Sequence, residues 1–583
     1  MSWPSLESGG LVQNLHKPGD MDRQDCADEA NDDRTQTASL PQDPRIISLR
    51  SIKQNSPLLR LPHELILQII LMTLEDPRDL LQSKFEANNS WELADQTQSF
   101  DRLRMTNRMT HISSTWRYVC LNATTLWNAI DLLWPSTAVA VFATRAQQSP
   151  LFLNLNILQD YQRVFQPLIT DSLTFWSTQI AFWTQFLSQN MHRVKSLEIR
   201  VKTTEPRRIF PEFWRAVEHL RAPKLEKIVL RFPPRSGEVA IYNPFFRDAP
   251  RLRELLVEGF KFSDIQETSF HSLVRLTITL GEFETTAAFK RLTSILSATP
   301  NLEALQIAVP ESYPDTARPL TPFLGRAVPL DRCAQLKATG LSATTTAFLF
   351  SSISFPSLSV LALNICMPWD ASPDAITELY TCLPHSMRQL CHTNDTMTMK
   401  FSPCYLRTHV GSDSAPNLMV CHNIPDLSGA QFGHSCLAES CTAPFTVLNL
   451  SPISLKVAGL STGFIGQAIP TKDLWRAILS HAPFLEVLEL ESQFSFAPLC
   501  EALEDPRLLG SALKELRKIG SDEDRDAFDM MLERRKSQGA KNEIVLITGP
   551  DSQIFVMTFV ERQDGGNTGV AVRSVAVNSS VKQ

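Results

Sequence analysis

The chain has 583 residues, more than one ordinary hydrophobic core organises, so it is either several domains or one repetitive array. Its 43% hydrophobic and 20% charged residues are those of a soluble globular protein, and no apolar run is long enough to cross a bilayer, so no membrane association is expected. A formal net charge of −6 leaves no basic excess to neutralise phosphates, which excludes a general nucleic-acid binder and favours a protein partner.

The opening residues MSWPSLESGG lack the basic start and apolar stretch of a secretory signal, and the eleven cysteines are odd in number and scattered from Cys26 to Cys500. A reducing cytoplasmic or nuclear setting with free buried thiols is therefore expected rather than a disulfide framework. Residues 1–57 are rich in Asp, Gln, Ser and Pro, and residues 20–34 hold seven acids against two arginines. Such a stretch buries too little apolar area to offset its ordering entropy and reads as a disordered acidic leader.

Residues 58–131 carry two apolar elements separated by a polar insertion, residues 76–100. Leu61-Pro62-His-Glu64-Leu65-Ile66-Leu67 opens the first, and eight of the ten residues Leu65–Leu74 are apolar. Pro62 stands in the first turn, where a helix tolerates it best, and a helix apolar on all faces must be covered on all faces. The second element runs from Met109 through Ile112, Trp116-Arg117 and Val119-Cys-Leu121, then Leu126-Trp127-Asn-Ala-Ile130. Met109, Ile112, Trp116 and Val119 recur at helical spacing and predict one apolar stripe.

In order and spacing these elements resemble the F-box-like domain of fungal proteins: the Leu-Pro-x-Glu-Leu opening, then the Trp-Arg and Leu-Trp elements. The resemblance implies a small helical module that docks on a Skp-type adaptor, which links it to a cullin scaffold and a ubiquitin-charged enzyme. The contact residues it implies are Leu61, Pro62, Leu65, Ile66, Ile69, Ile70, Ile112, Trp116, Val119, Leu126 and Trp127. For Trp116 and Trp127 plain core packing is an equal reading, because buried aromatics usually serve the core.

Residues 132–560 repeat themselves. The phrase Pro-x-Leu-x-x-Leu/Ile begins at Pro223, Pro250, Pro300, Pro356 and Pro483, with relatives lacking the Pro at Val194 and Leu273 and looser ones at Cys333, Met387, Phe445, Leu513 and Ile544. The early first apolar positions, Val194, Leu225, Leu252, Leu273 and Leu302, stand 21 to 31 residues apart, in or just above the leucine-rich-repeat range. Each phrase continues in alternation and predicts a short strand with one buried face. Helices are expected over Phe210 to Leu220, Thr285 to Ala298 and Leu474 to His481, with the Pro stopping the helix and its fixed φ starting the strand. The fold class expected is therefore an α/β repeat: a small helical module followed by an irregular leucine-rich-repeat solenoid. A doubly wound domain would need a Gly-rich phosphate turn that is not present.

Alternation also marks the outward positions. Early in the array they include Arg200, Lys202, Lys227, Arg231 and Arg275 with Glu198, Glu254 and Glu258; late come Val487, Glu489 and Glu491. Between them Ala304, Gln306, Ala308, Val360, Ala362 and Asn364 form a charge-depleted centre, the anatomy of a target-binding patch, toward which the early basic positions would steer an acidic segment. Residues 391–441 gather Cys391, His392, Cys404, Cys421, His422, His434, Cys436 and Cys441. The close chelating pairs of zinc sites are missing, so they read as reduced thiols in an irregular insertion with no metal. Gly459-Leu-Ser461-Thr-Gly463 matches a hydrolase elbow, but Gly466 and Pro470 spoil the helix that must follow the serine. Residues 561–583 read as a flexible tail. No catalysis and no cofactor are expected. The function implied is that of a substrate-recruiting adaptor subunit of a ubiquitin ligase with an unknown protein target. The alternatives are a repeat scaffold whose first helices only cap the array and, last, a serine hydrolase using Ser461.

Overall fold

A computed structural model describes residues 61–74, 94–157, 172–201, 210–217, 219–232, 249–260, 270–280, 286–309, 327–367, 372–402, 405–412, 415–423, 434–459, 471–491, 497–505, 513–519, 525–537, 545–548 and 553–555. The leader, the tail, Lys202, Ser461 and residues 76–93 of the polar insertion lie outside the described residues. The elements described below all lie within one compact unit, residues 63–583.

Among the described residues three helices come first: α1 (His63–Leu74), α2 (Ala94–Met109) and α3 (Ser114–Asn122). The second begins inside the segment read as a polar insertion. Ile66, Ile70 and Leu74 are buried at helical spacing on one face of α1, and Arg102 of α2 donates to the Leu74 carbonyl at 3.4 Å. The stripe expected through Met109, Ile112, Trp116 and Val119 is broken, because the chain leaves α2 at Met109. Ser113 caps α3 by accepting from the Trp116 N–H at 3.2 Å. A serine that bonds the backbone ahead of it favours a helix start over a helix interior. Ile112 therefore sits in a turn, 46% exposed, while Trp116 and Val119 are buried.

The rest is built on a sheet of 17 strands among the described residues. It opens with β1 (Ala129–Asp131), α4 (Ser136–Arg145), β2 (Leu151–Ile157), α5 (Ser172–Asn190), β3 (Val194–Val201), α6 (Phe210–Val217), β4 (Lys227–Arg231), β5 (Glu254–Phe260), β6 (Arg275–Leu280), α7 (Thr286–Ser297) and β7 (Ala304–Ala308). β8 (Val328–Pro329), β9 (Gln335–Leu341), α8 (Ala343–Ser352), β10 (Ile353–Ser354) and β11 (Val360–Cys366) follow, with β8 and β10 pairing apart from the main sheet. From β1 to β11 the main strands lie side by side in chain order, all parallel. One strand per repeat in parallel register is what the recurring phrase predicts. The sheet starts within the segment assigned to the helical module: Leu126, Trp127 and Ile130 are buried at its first strand rather than on the three helices.

The prolines do something more specific than stop helices. Leu225, Leu252, Leu302, Leu358 and Leu485 each donate their N–H to the carbonyl of the residue before the Pro: Ala222, Ala249, Thr299, Phe355 and Ala482. Pro thus occupies the second position of a tight turn, where its fixed φ is favourable, and the Leu that closes the turn is buried. Leu273 and Cys333 close the same turn without proline.

After β11 come α9 (Pro373–Thr381), α10 (His385–His392), β12 (Thr396–Ser402), β13 (Tyr405–Ser412), β14 (Ala415–Asn423), α11 (His434–Thr446), β15 (Ser454–Gly459), α12 (Lys472–Ser480), β16 (Val487–Glu491), α13 (Ala497–Leu503), β17 (Glu515–Ile519), α14 (Arg525–Ser537), β18 (Val545–Thr548) and β19 (Gln553–Phe555). Here the structure corrects the reading of residues 391–441 as an irregular loop. They supply an antiparallel meander built into the sheet, in the spatial order β11-β14-β13-β12-β15. β14 is parallel to β11 and β12 parallel to β15, so the parallel array resumes beyond it. The loose phrases at Met387 and Phe445 belong to α10 and α11, since a spacing of three fits a helix turn as well as a strand phrase.

Leu and Ile alternate into the covered face, and among the described helices α9 packs on α8 and α11, and α12 on α11 and α13. At the N-terminal end Trp127 and Trp134 meet Phe142 edge-on, each at 4.8 Å, and Arg145 lies 4.3 Å over the Trp127 ring. The Trp127 Nε1–H donates to the Cys120 carbonyl at 2.7 Å and the Trp183 Nε1–H to Leu132 at 2.9 Å, which ties α3 and α5 to the edge of the sheet.

Candidate protein-interaction surfaces

On α1, Leu65, Ile69 and Met72 follow one another at helical spacing and are 45%, 36% and 63% exposed. Tyr118 and Leu121 of α3 are also exposed, and the Tyr118 ring contacts His63 at 5.6 Å between centroids. Of the residues singled out as adaptor contacts, Pro62, Leu65, Ile69 and Ile112 are exposed and Leu61 is half-buried. Ile66, Ile70, Trp116, Val119, Leu126 and Trp127 are interior. These six hold the fold together and present no surface to a partner. The sequence reading missed Met72, Tyr118 and Leu121, because an all-apolar run gives no sign of which side its own domain covers.

The second surface is the face of the sheet turned away from the alternating Leu and Ile core, half-buried at most positions and buried at Val229, Cys421, His409 and Thr398. Register places Glu198, Val229, Leu256, Thr277, Gln306, Lys337, Ala362 and Met419 in one row across it, and Arg200, Arg231, Glu258, Thr279, Ala308, Thr339, Asn364 and Cys421 in the next. Ala304, Gln306, Ala308, Ala362 and Asn364 are half-buried there and Val360 is exposed. These six do share one face, but they are not adjacent throughout. β9 runs between β7 and β11 and places the exposed Lys337 between Gln306 and Ala362. The centre is thus cationic rather than uncharged. The Cys333 phrase, continued in alternation, would have put Lys337 outward.

The described early basic positions are not available for steering, since each of the four sits on a carboxylate. Arg200 pairs with Glu198, Lys227 and Arg275 with Glu254, and Arg231 with Glu258 at 3.5 Å. Late in the array Lys456 pairs with Glu489 at 3.0 Å and Arg517 with Glu515 at 2.6 Å. Parallel in-register strands put such side chains side by side, each pair contributing at most about 1 kcal/mol at the surface.

Beneath the meander lies a buried polar contact: the Tyr380 hydroxyl of α9 and His422 Nε2 of β14 are 3.2 Å apart, both fully buried. Burial drives the His422 pKa down to about 4, pushes the Tyr380 hydroxyl well up, and raises the thiols of Cys391, to about 12, and Cys441. All four are neutral at physiological pH. Cys120, Cys333, Cys382, Cys391, Cys421 and Cys441 are in no disulfide, and among the described residues no three His, Cys, Asp or Glu side chains are grouped to hold a metal.

No protein-family model and no curated protein matches this chain. Among solved structures it is similar to the leucine-rich repeat-containing protein LegL7 from Legionella pneumophila, at 10% sequence identity and a TM-score of 0.24, over 72% of this chain and 95% of that one. The architecture described above therefore rests on the strand register itself. No helix of the described residues is long and apolar enough to cross a membrane.

Proposed function

We propose that this chain is a recruiting scaffold with two working surfaces. The repeat array holds a protein target on its open sheet face, and α1 to α3 dock onto a Skp-type adaptor of a cullin-based ubiquitin ligase. The observation that carries the reading is the apolar stripe Leu65, Ile69 and Met72, exposed on a helix whose opposite face is already packed. A surface stripe of large aliphatic residues is costly to leave in water and matches the face by which a helix enters a partner's groove. The scaffold itself would do no bond chemistry. It would act by raising the local concentration of a target beside a charged enzyme.

The test is binding of the purified full chain to a Skp-type adaptor, measured by calorimetry. Leu65→Asp and Ile69→Asp each place a charge that docking would have to bury, so binding is expected to fall beyond detection, with melting temperature changed little because both residues are exposed. A wild type that does not bind the adaptor, or folded variants that bind equally, would remove the adaptor role. A scaffold without that role is the second reading. It is favoured by the way Leu126, Trp127 and Ile130 tie the N-terminal region into the first strand, as a cap on the array would.

A further inference from the structure

The inserted meander sets two cations against each other on the open face. Lys400 of β12 and Arg407 of β13 are direct partners in the antiparallel register, and the next residues along that row are Cys421 and Asn364. Like charges placed opposite one another across strands are destabilising, and proteins normally interleave them with carboxylates. The flanking strands of this sheet do so: Arg200, Lys227, Arg231, Arg275, Lys456 and Arg517 all sit with a Glu. Among the described residues neither Lys400, Arg407 nor Lys337 forms an ion pair, and the described open-face positions of β9, β11, β14, β13 and β12 contain no acidic residue. The Arg407 guanidinium lies 5.1 Å over the Tyr405 ring and hydrogen-bonds the Cys421 side chain, while its buried Nε has no hydrogen-bond partner. Asn364 Oδ1, in the same row, is also buried without a partner. What sets this part of the face apart is three cations with no carboxylate beside them among the described residues, where the flanking strands pair theirs, and an acidic ligand would complete the set.

We propose that the meander makes the centre of the open face a docking site for a carboxylate-rich segment of a partner protein. The Arg407–Lys400 pair would receive one acidic side chain and Lys337 a second. Three strand intervals separate Lys337 from Arg407, about 14 Å at the usual strand spacing, which an extended peptide crosses in roughly four or five residues. Between them lie Ala362 and Met419, small or flexible side chains that a peptide backbone can approach. A nucleic acid fits less well, because three cations neutralise few phosphates and the chain as a whole carries −6. The proposal rests on the reading of the open face as the target surface and adds the chemistry of what binds there.

The experiment measures fluorescence anisotropy of a labelled peptide of alternating Glu and Ser titrated with the full chain, beside a single-stranded oligodeoxynucleotide of equal charge. Lys400→Glu is expected to weaken peptide binding about tenfold or more, while raising the melting temperature because the new carboxylate pairs with Arg407. Loss of binding in that variant therefore does not report unfolding. Lys337→Gln is expected to weaken it severalfold, and Lys227→Gln, which removes a cation already paired with Glu254, to leave it unchanged. Unaltered binding by Lys400→Glu, equal weakening by Lys227→Gln, or tighter binding of the oligonucleotide would each overturn the proposal. Crowding the face with Ala308→Arg and Ala362→Arg separates the two readings. If that double variant blocks capture of a co-purified target while the acidic peptide never binds, the open face remains the target surface and its acidic specificity falls.

Discussion

His422 is expected to make the meander acid-labile, an effect that follows from its burial. In the unfolded chain a histidine titrates near pH 6.5, while in the fold burial holds its pKa near 4. Between these values the unfolded state binds the proton and the folded state does not, so stability is full above about pH 6.5 and is lost as pH falls toward 4. Two and a half pKa units set the limit at about 3 kcal/mol, and at pH 5 the loss is about 2 kcal/mol. Tyr380, Cys391 and Cys441 do not offset it, since all three have raised pKa values and stay neutral throughout the window. The assay is hydrogen exchange of β13 and β14, corrected for the intrinsic pH dependence of exchange. Protection there is expected to drop roughly thirtyfold from pH 7 to pH 5 when opening of the meander limits exchange. His422→Gln keeps a polar group toward the Tyr380 hydroxyl and does not titrate, so its protection should change far less over the same range. Equal pH dependence in wild type and His422→Gln would refute the reasoning.

Two further substitutions probe the array. Gly340 has φ +75 and is the residue skipped where the register of β9 and β11 shifts, and a Cβ there would lie 2.1 Å from the Val309 carbonyl oxygen. Gly340→Ala is expected to cost about 3 kcal/mol or more, read as a fall in melting temperature, and a variant as stable as wild type would show that the bulge is not required. Trp127→Phe deletes the hydrogen bond to Cys120 and part of the platform under Arg145, for an expected loss of about 1–2 kcal/mol, whereas exposed Tyr118→Phe should be neutral by the same thermal measurement.

The strands were legible in the residues because their burial depends on local spacing alone. A Leu three residues beyond the start of a tight turn, followed by alternation, buries itself in any register, and β3, β4, β5, β7, β11 and β16 all form where the phrase occurs. The helices over Phe210–Val217, Thr286–Ser297 and Lys472–Ser480 were legible for the same reason. What the residues could not fix by themselves was everything that depends on which strand lies next to which. The run 391–441 contains strand-forming stretches without the phrase, and only the pairings of β14 with β11 and of β12 with β15 show that they fill the sheet rather than leave it. The same holds for charge. Arg231 and Arg407 are alike as outward residues in sequence, yet one lies beside Glu258 and the other opposite Lys400, because neighbours across a sheet are brought together from distant segments. Exposure on α1 follows the same rule: the run Leu65–Leu74 is apolar almost throughout, and packing against α2 and α3 decided that Ile66 and Ile70 became core while Leu65 and Ile69 stayed in water.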